Sequence, residues 1–319
     1  MAVSKQREIE LLKKKKLSFS ERAALTWRQM KENKINYLLI LPFMLFFLLF
    51  TIIPIAASVV LSFTRYDILN APVFINFDNY LRMFLEDSVF LIALKNTLKF
   101  AIITGPVSYL LCFIFAWFIN DLPPIARAFF TVVFYAPTLA NIYFIFQYLF
   151  SSDMYGLINS VMMNMGMIDE PIAWLKDTKY MLDIVILVQL WCSLGTSFLS
   201  FIAGLQNLDP SLAEAGAIDG VRNRFQELFY ITLPQMGGML MFGAVMQIAS
   251  SFAVGGISSA LLGFPSVDYA GHTITLHISD FGHTRFELGY ASAIAVVLFT
   301  IMILSKVLIN KLLARFSHD

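Results

Sequence analysis

The residues of this chain best suited to hold a ligand are amides and hydroxyls set inside long apolar runs: Gln189, Ser193 and Thr196 in one run, and Gln247, Ser250 and Ser251 in another. Spacings of i, i+4, i+7 and of i, i+3, i+4 place each set along one helix face, so two stripes could line a common path. These groups exchange hydrogen bonds without carrying charge, which suits a neutral polyhydroxylated solute. The same groups also serve as packing contacts between membrane helices, and spacing alone leaves both readings open. A third run adds Tyr135, Thr138, Asn141 and Gln147.

Other chemistries lack their residues. No Asp, Glu, Lys, Arg or His stands at the centre of an apolar run, so an ion-coupled carrier or proton pump would have no group to hold its coupling ion. The energy for any transport must therefore come from another subunit. The sequence has no G-x-x-x-x-G-K-[ST] phosphate loop, no H-E-x-x-H and no G-x-S-x-G, so the chain is expected to be neither an ATPase nor an enzyme of those classes. His272, His277 and His283 match no helical metal-site spacing and read as surface residues, with no metal assigned. Cys112 and Cys192 lie inside apolar runs, as inert thiols.

The elements that position these residues follow from composition. Of 319 residues, 58% are hydrophobic and 14% charged, far too apolar for a soluble surface, and nucleic acid is not expected as a partner. Uncharged runs long enough to cross a bilayer number six, giving an all-α polytopic membrane protein. They are Leu38 to Phe63, Phe100 to Ile119, Ala128 to Phe150, Ile184 to Leu205, Met236 to Ile257 and Leu288 to Ile309, the last with Lys306 near its end. Pro42, Pro54, Pro106 and Pro137 fall inside spans and predict kinks. A basic stretch precedes the first run, but no small-residue cleavage site follows it, so that run is expected to remain as a span.

Lys and Arg outside the spans divide 16 to 7 between the two alternating sets of loops, the richer set containing the N-terminus. Both termini are therefore expected in the cytoplasm. Residues 1–36 form a basic segment in which Ser18 to Glu21 reads as a capping box and Ala23, Ala24, Trp27 and Met30 share one face of a short helix on the membrane surface; a disordered tail around Lys13 to Lys16 is the alternative. Residues 37–316 form the membrane domain, including a cytoplasmic loop at 206–234, and 317–319 form a short tail.

That loop is the most specific segment of the sequence. Leu205-Gln-Asn-Leu-Asp-Pro-Ser-Leu-Ala-Glu214-Ala215-Gly216-Ala217-Ile218-Asp219-Gly220 runs on to Ile231-Thr232-Leu233-Pro234. Asp209 or Ser211 can cap a helix with Pro210 in its first turn, and Gly220 suits its end. The segment resembles the coupling loop of binding-protein-dependent ABC importer permeases, whose pattern is E-A-A, three residues, G, then I-x-L-P. Gly216 stands where the pattern has its second alanine, a change small enough to keep close packing but expected to loosen the helix. Ser62-Phe-Thr-Arg-Tyr-Asp67, Asn76-Phe-Asp-Asn-Tyr80, Asn96-Thr97, Tyr155-Gly-Leu-Ile-Asn159, Trp174-Leu175 and Phe286-Glu-Leu-Gly-Tyr-Ala291 resemble the sugar-specific branch, of the maltose-transporter and glycerol-phosphate-transporter permease type. The last external loop lacks the G-G-P turn frequent in that branch.

The resemblance implies a type I ABC importer permease fold in a bacterial or archaeal cytoplasmic membrane. It implies a second homologous permease, two ATPase subunits that bind ATP and Mg, an external sugar-binding protein and a saccharide passed by alternating access, with no cofactor in this chain. Transferred by position, it points to Tyr135, Gln189, Ser193, Thr196, Gln247 and Ser251 as sugar contacts, and to Glu214, Ala215, Gly216, Asp219 and Gly220 as the contact with the ATPase. A six-span channel or scaffold using the same loop without transport is the competing reading, and an intramembrane enzyme a more distant one.

Overall fold

A computed structural model of the chain describes Trp27, Met30, Lys31 and residues 33–139 and 143–316. The capping box at Ser18 to Glu21, the basic cluster Lys13 to Lys16, Ala23, Ala24, Asn141 and the tail 317–319 lie outside the described residues. Trp27, Met30 and Lys31 are helical. Contacts divide the chain into two units, Met1–Ala57 and Ser58–Asp319.

The first apolar helix is Lys34–Leu61. It runs through Pro42 as regular α-helix but widens to a π turn over Leu48–Ile52. Proline has no N–H for the carbonyl four residues back and its ring crowds that carbonyl, so the π turn just before Pro54 accommodates the ring without breaking the rod. The same solution recurs at Leu228–Thr232, just before Pro234. Pro106 and Pro137 lie inside α-helices without one.

In the second unit the central element is the helix Ser88–Asn120, 33 residues long, which begins well before the span expected at Phe100. It contributes Phe90 and Ala93 to one apolar cluster, Phe100 to another, and Cys112, Phe113, Ala116 and Ile119 to a third. Helices Thr178–Cys192, Thr196–Gln206 and Gly237–Phe252 pack along it. The last helix, Leu288–Phe316, closes the first cluster with Tyr290, Ala293 and Ile294.

Among the described residues, five helices are long and apolar enough to cross a membrane. The third expected span, Ala128 to Phe150, is two helices, Pro124–Leu139 and Tyr143–Leu149, whose directions differ by 84°. The fourth span divides into Thr178–Cys192 and Thr196–Gln206, and the fifth into Gly237–Phe252 and Gly255–Leu262. A short antiparallel pair, Thr64–Arg65 with Val73–Phe74, is the one sheet among the described residues.

Candidate functional site

The break in the fourth span gathers most of the polar residues. Gly195 has φ −121° and ψ −124°, outside the helical range, and interrupts the ladder after Ser193. A break frees carbonyls that lipid cannot satisfy. Here distant side chains reach them: Gln247 Nε2 donates to the Ser193 carbonyl at 3.1 Å, and Thr138 Oγ1 donates to the Leu194 carbonyl at 3.1 Å. Cys112 Sγ lies 3.8 Å from the Ser193 carbonyl and 3.0 Å from Gln247 Nε2. A Cβ on Gly195 would meet Thr138 at 3.1 Å, so the close approach of these helices favours glycine.

The two stripes meet, but they close on each other. Gln189, buried, donates to the Ser250 carbonyl and hydroxyl at 3.3 Å each. Ser193 and Ser251, also buried, bond back to the carbonyls of Leu190 and Ile248. Thr196 lies beyond the break on a separate helix, exposed, so the face expected over Gln189, Ser193 and Thr196 is not continuous. Tyr135 is half-buried one turn before Thr138. Gln247 and Ser251 also line a mostly apolar cavity of about 420 Å³ against Gly105 and Pro106. Gln147 of the third run donates to the Ala260 carbonyl.

The 206–234 loop is built from local signals. Asp209 accepts from the Ser211 N–H at 3.0 Å, which holds its carboxyl below the usual carboxylate range, and Pro210 takes the first helical position of Pro210–Ile218. At the other end the Val221 N–H reaches the Gly216 carbonyl and the Gly220 N–H the Ala217 carbonyl, a Schellman closure with Gly220 at φ +99°. A side chain there would be strained. Gly216 is the buried residue of the helix, and a Cβ on it would come within 2.4 Å of Ile231 Cδ1. The glycine thus keeps the close packing expected of it, over Ile231, and the helix Pro210–Ile218 stays regular rather than loosened. Glu214, Ala215, Ala217 and Asp219 are exposed, and Ile218 is 87% exposed.

This loop is tied to the end of the long helix. Arg224 pairs with Asp121, the C-cap of Ser88–Asn120, and its guanidinium lies 5.5 Å from the Trp117 ring. Phe225 packs on the same ring at 5.6 Å, and Arg127 donates to the Asn120 carbonyl.

The opposite end of that helix holds a polar knot that sequence reasoning missed. Asp87 caps Ser88–Asn120 through the Phe90 N–H and also receives His277 Nε2 at 2.9 Å and the Tyr290 hydroxyl at 2.8 Å. Burial alone would raise this carboxyl; the bonds from His277, Phe90 and Tyr290 outweigh it and hold it well below the carboxylate range. His277 Nδ1 meets His272 Nε2 at 3.0 Å. His272 and His277 are both 2% exposed, not the surface residues their loop position suggested, while His283 is exposed. Burial, then the neighbouring His277, pushes His272 down to about 4. Among the described residues no group of three or more His, Cys, Asp or Glu side chains is arranged to hold a metal.

Several of the family-like segments meet around this knot, and another closes its own loop. Asn79 donates to the carbonyls of Ser62 and Thr64, Tyr80 to the Ser62 hydroxyl, and Arg82 pairs with Glu287 at 2.5 Å. Asn96 serves the carbonyls of Tyr269, Ala270 and His272. Asn159 binds the carbonyls of Ser151, Asp153 and Ile172 and accepts from the Trp174 indole. These asparagines are structural clamps.

The architecture is that of a multi-span helical membrane subunit with a broken-helix polar centre, a clamped end and an exposed loop helix. The chain belongs to the family described as the binding-protein-dependent transport system inner membrane component, which matches residues 121–318. It is 33% identical over 295 residues to the probable ABC transporter permease protein YesP of Bacillus subtilis (strain 168), covering 90% of this chain and 93% of that one. It is 29% identical to the arabinooligosaccharides transport system permease protein AraP of the same organism, covering 92% and 93%. In structure it resembles, with TM-score 0.71 and 21% identity over 91% of this chain and 98% of the other, a chain from the crystal structure of a bacterial ABC transporter involved in the import of the acidic polysaccharide alginate. That likeness concerns the fold, a type I importer permease.

Proposed function

We propose that this chain is one of two permease subunits of an ABC importer that moves a saccharide by alternating access, with both termini in the cytoplasm. An external binding protein delivers the sugar, and two ATPase subunits, which hold the ATP and Mg, drive the cycle. The observation that carries the reading is the exposed, doubly capped helix Pro210–Ile218 within the matched family span, a short lever whose apolar tip, Ile218, is exposed. Glu214, Ala215, Asp219 and Gly220 form its contact with the ATPase, and Gly216 sets its height on Ile231.

For the cargo, support comes from relatives named for arabinooligosaccharide, lactose and trehalose/maltose transport and from a polar centre made of neutral groups. Thr196 and Tyr135 are the accessible members of the sugar site; Gln189, Ser193, Gln247 and Ser251 form its wall at the helix break. The two amides are already engaged, so a sugar hydroxyl reaching them would exchange for the Ser250 and Ser193 partners. Such an exchange conserves hydrogen bonds and so costs little. Lipid surrounds the spans.

Reconstitution into liposomes with the second permease, the ATPase and the binding protein tests the reading. Uptake of labelled neutral oligosaccharides should require both ATP and the binding protein. Flux without ATP would instead mark a channel, and assembly without any flux a scaffold.

A further inference from the structure

Among the described residues, the helix Ser88–Asn120 is the one element with a residue in all three apolar clusters, and both of its caps are aspartates that bind segments far away in sequence. At 1.5 Å per residue its 33 residues make a rod of about 50 Å. It runs unbroken through Pro106, unlike the fourth and fifth spans beside it. Asp87 at its start takes hydrogen bonds from His277 and Tyr290, and so joins the rod to the 266–285 loop and to the last helix. Asp121 at its end pairs with Arg224, which also stacks on Trp117 of the rod, and so joins it to the segment directly after the loop helix. A continuous helix held at both ends can move as a body, whereas the broken spans can bend at Gly195 and Ala253.

We propose that the Ser88–Asn120 helix transmits the transport signal between the two ends of the subunit, with Asp87 and Asp121 as its joints. Resting on the importer reading above, this makes the two aspartates positioning residues that touch neither sugar nor nucleotide. Binding-protein docking at the clamped end shifts the rod through Asp87, and Asp121 passes the shift to Arg224 and the loop helix. The ATPase then senses the docked binding protein through the rod rather than through the flexible spans.

The test is ATP hydrolysis by the whole reconstituted complex with and without sugar-loaded binding protein. Asp121→Ala should leave assembly and basal hydrolysis unchanged while lowering the stimulation by about fivefold or more. Asp87→Asn, which still caps the helix but no longer offers His277 a charge, should do the same while binding-protein affinity holds. The double exchange Asp121→Arg with Arg224→Asp should restore the stimulation. Full stimulation in both single variants, or a double exchange that assembles yet stays unstimulated, overturns the proposal. Loss of assembly in Asp121→Ala that the double exchange repairs would also overturn it, because the pair would then be structural. If the wild-type complex itself shows no stimulation by the binding protein, the importer reading fails and takes this inference with it.

Discussion

At the clamped end, segments separated by up to about two hundred residues are held by long-range side-chain contacts, several of them buried: Asn79 and Asn96 on backbone carbonyls, Arg82 on Glu287, and His277 and Tyr290 on Asp87. At the loop end, the helix Pro210–Ile218 is closed by its own neighbours, rests on Ile231 through Gly216, and turns Glu214, Ala215 and Ile218 outward. One end is stabilised by long-range polar contacts within the chain, the other by local caps with its outer face unoccupied. The difference separates two kinds of mutational effect. Damage to the contacts that hold backbone at the clamped end should register as lost stability, and damage to the loop helix as lost coupling in a protein that still folds.

The largest expected effect tests the first half. A Cβ on Gly289 would lie 2.1 Å from the Thr64 carbonyl oxygen, a backbone atom that cannot rotate away. Gly289→Val should therefore cost about 4 kcal/mol or more and abolish folded protein in detergent. Normal melting of this variant would show that the two backbones are not in contact. Next comes Asn96→Ala, which strips partners from three carbonyls, so a loss of about 1–3 kcal/mol is expected, read as a lower melting temperature of the purified subunit.

The loop end should behave in the opposite way. Glu214→Lys and Gly220→Asp should reduce ATP-driven uptake strongly. Glu214→Lys, at an exposed position, should change melting by no more than about 0.5 kcal/mol. If it unfolds the chain, the two ends do not differ as described.

Acid provides the smallest and most graded test. His272 is buried with its value pushed from 6.5 to about 4, so the unfolded loop takes up a proton that the folded one excludes. Stability of this end should therefore fall as pH drops from about 6.5 to about 4. Asp87, depressed from 3.8, adds a further loss below that window as its bonds to His277, Phe90 and Tyr290 are protonated away. Hydrogen exchange should quicken over 266–290 through this window, and His272→Phe should flatten the upper part. Asp280 and Asp87 oppose the shift and Arg285 and His277 support it, so Arg285→Gln should move the transition upward.

What the sequence reveals follows the same division. The loop helix is legible because its determinants are local: Asp209, Pro210 and Gly220 lie within twelve residues and act on adjacent backbone. The count of spans is legible because apolar length is a property of a run. The break at Ser193–Gly195 is not, since the run stays apolar and contains no proline; Cys112, Thr138 and Gln247, which make the break tolerable, come from three other helices. Spacing places the Gln189 and Gln247 stripes on helix faces that could line one path or pack together, and periodicity cannot register that the two close on each other. His272 and His277 misled for the opposite reason. A loop position suggests exposure, and only the fold brings Asp87, Phe90 and Phe281 over them.

Two photo-crosslinking residues, one replacing Ile218 and one replacing the exposed Val267, test the central claim most directly in the assembled transporter. Position 218 should crosslink to the ATPase subunit and position 267 to the external binding protein, with neither reaching the other's partner. An ATPase crosslink at 267, or none at 218 in a complex that hydrolyses ATP, would contradict it.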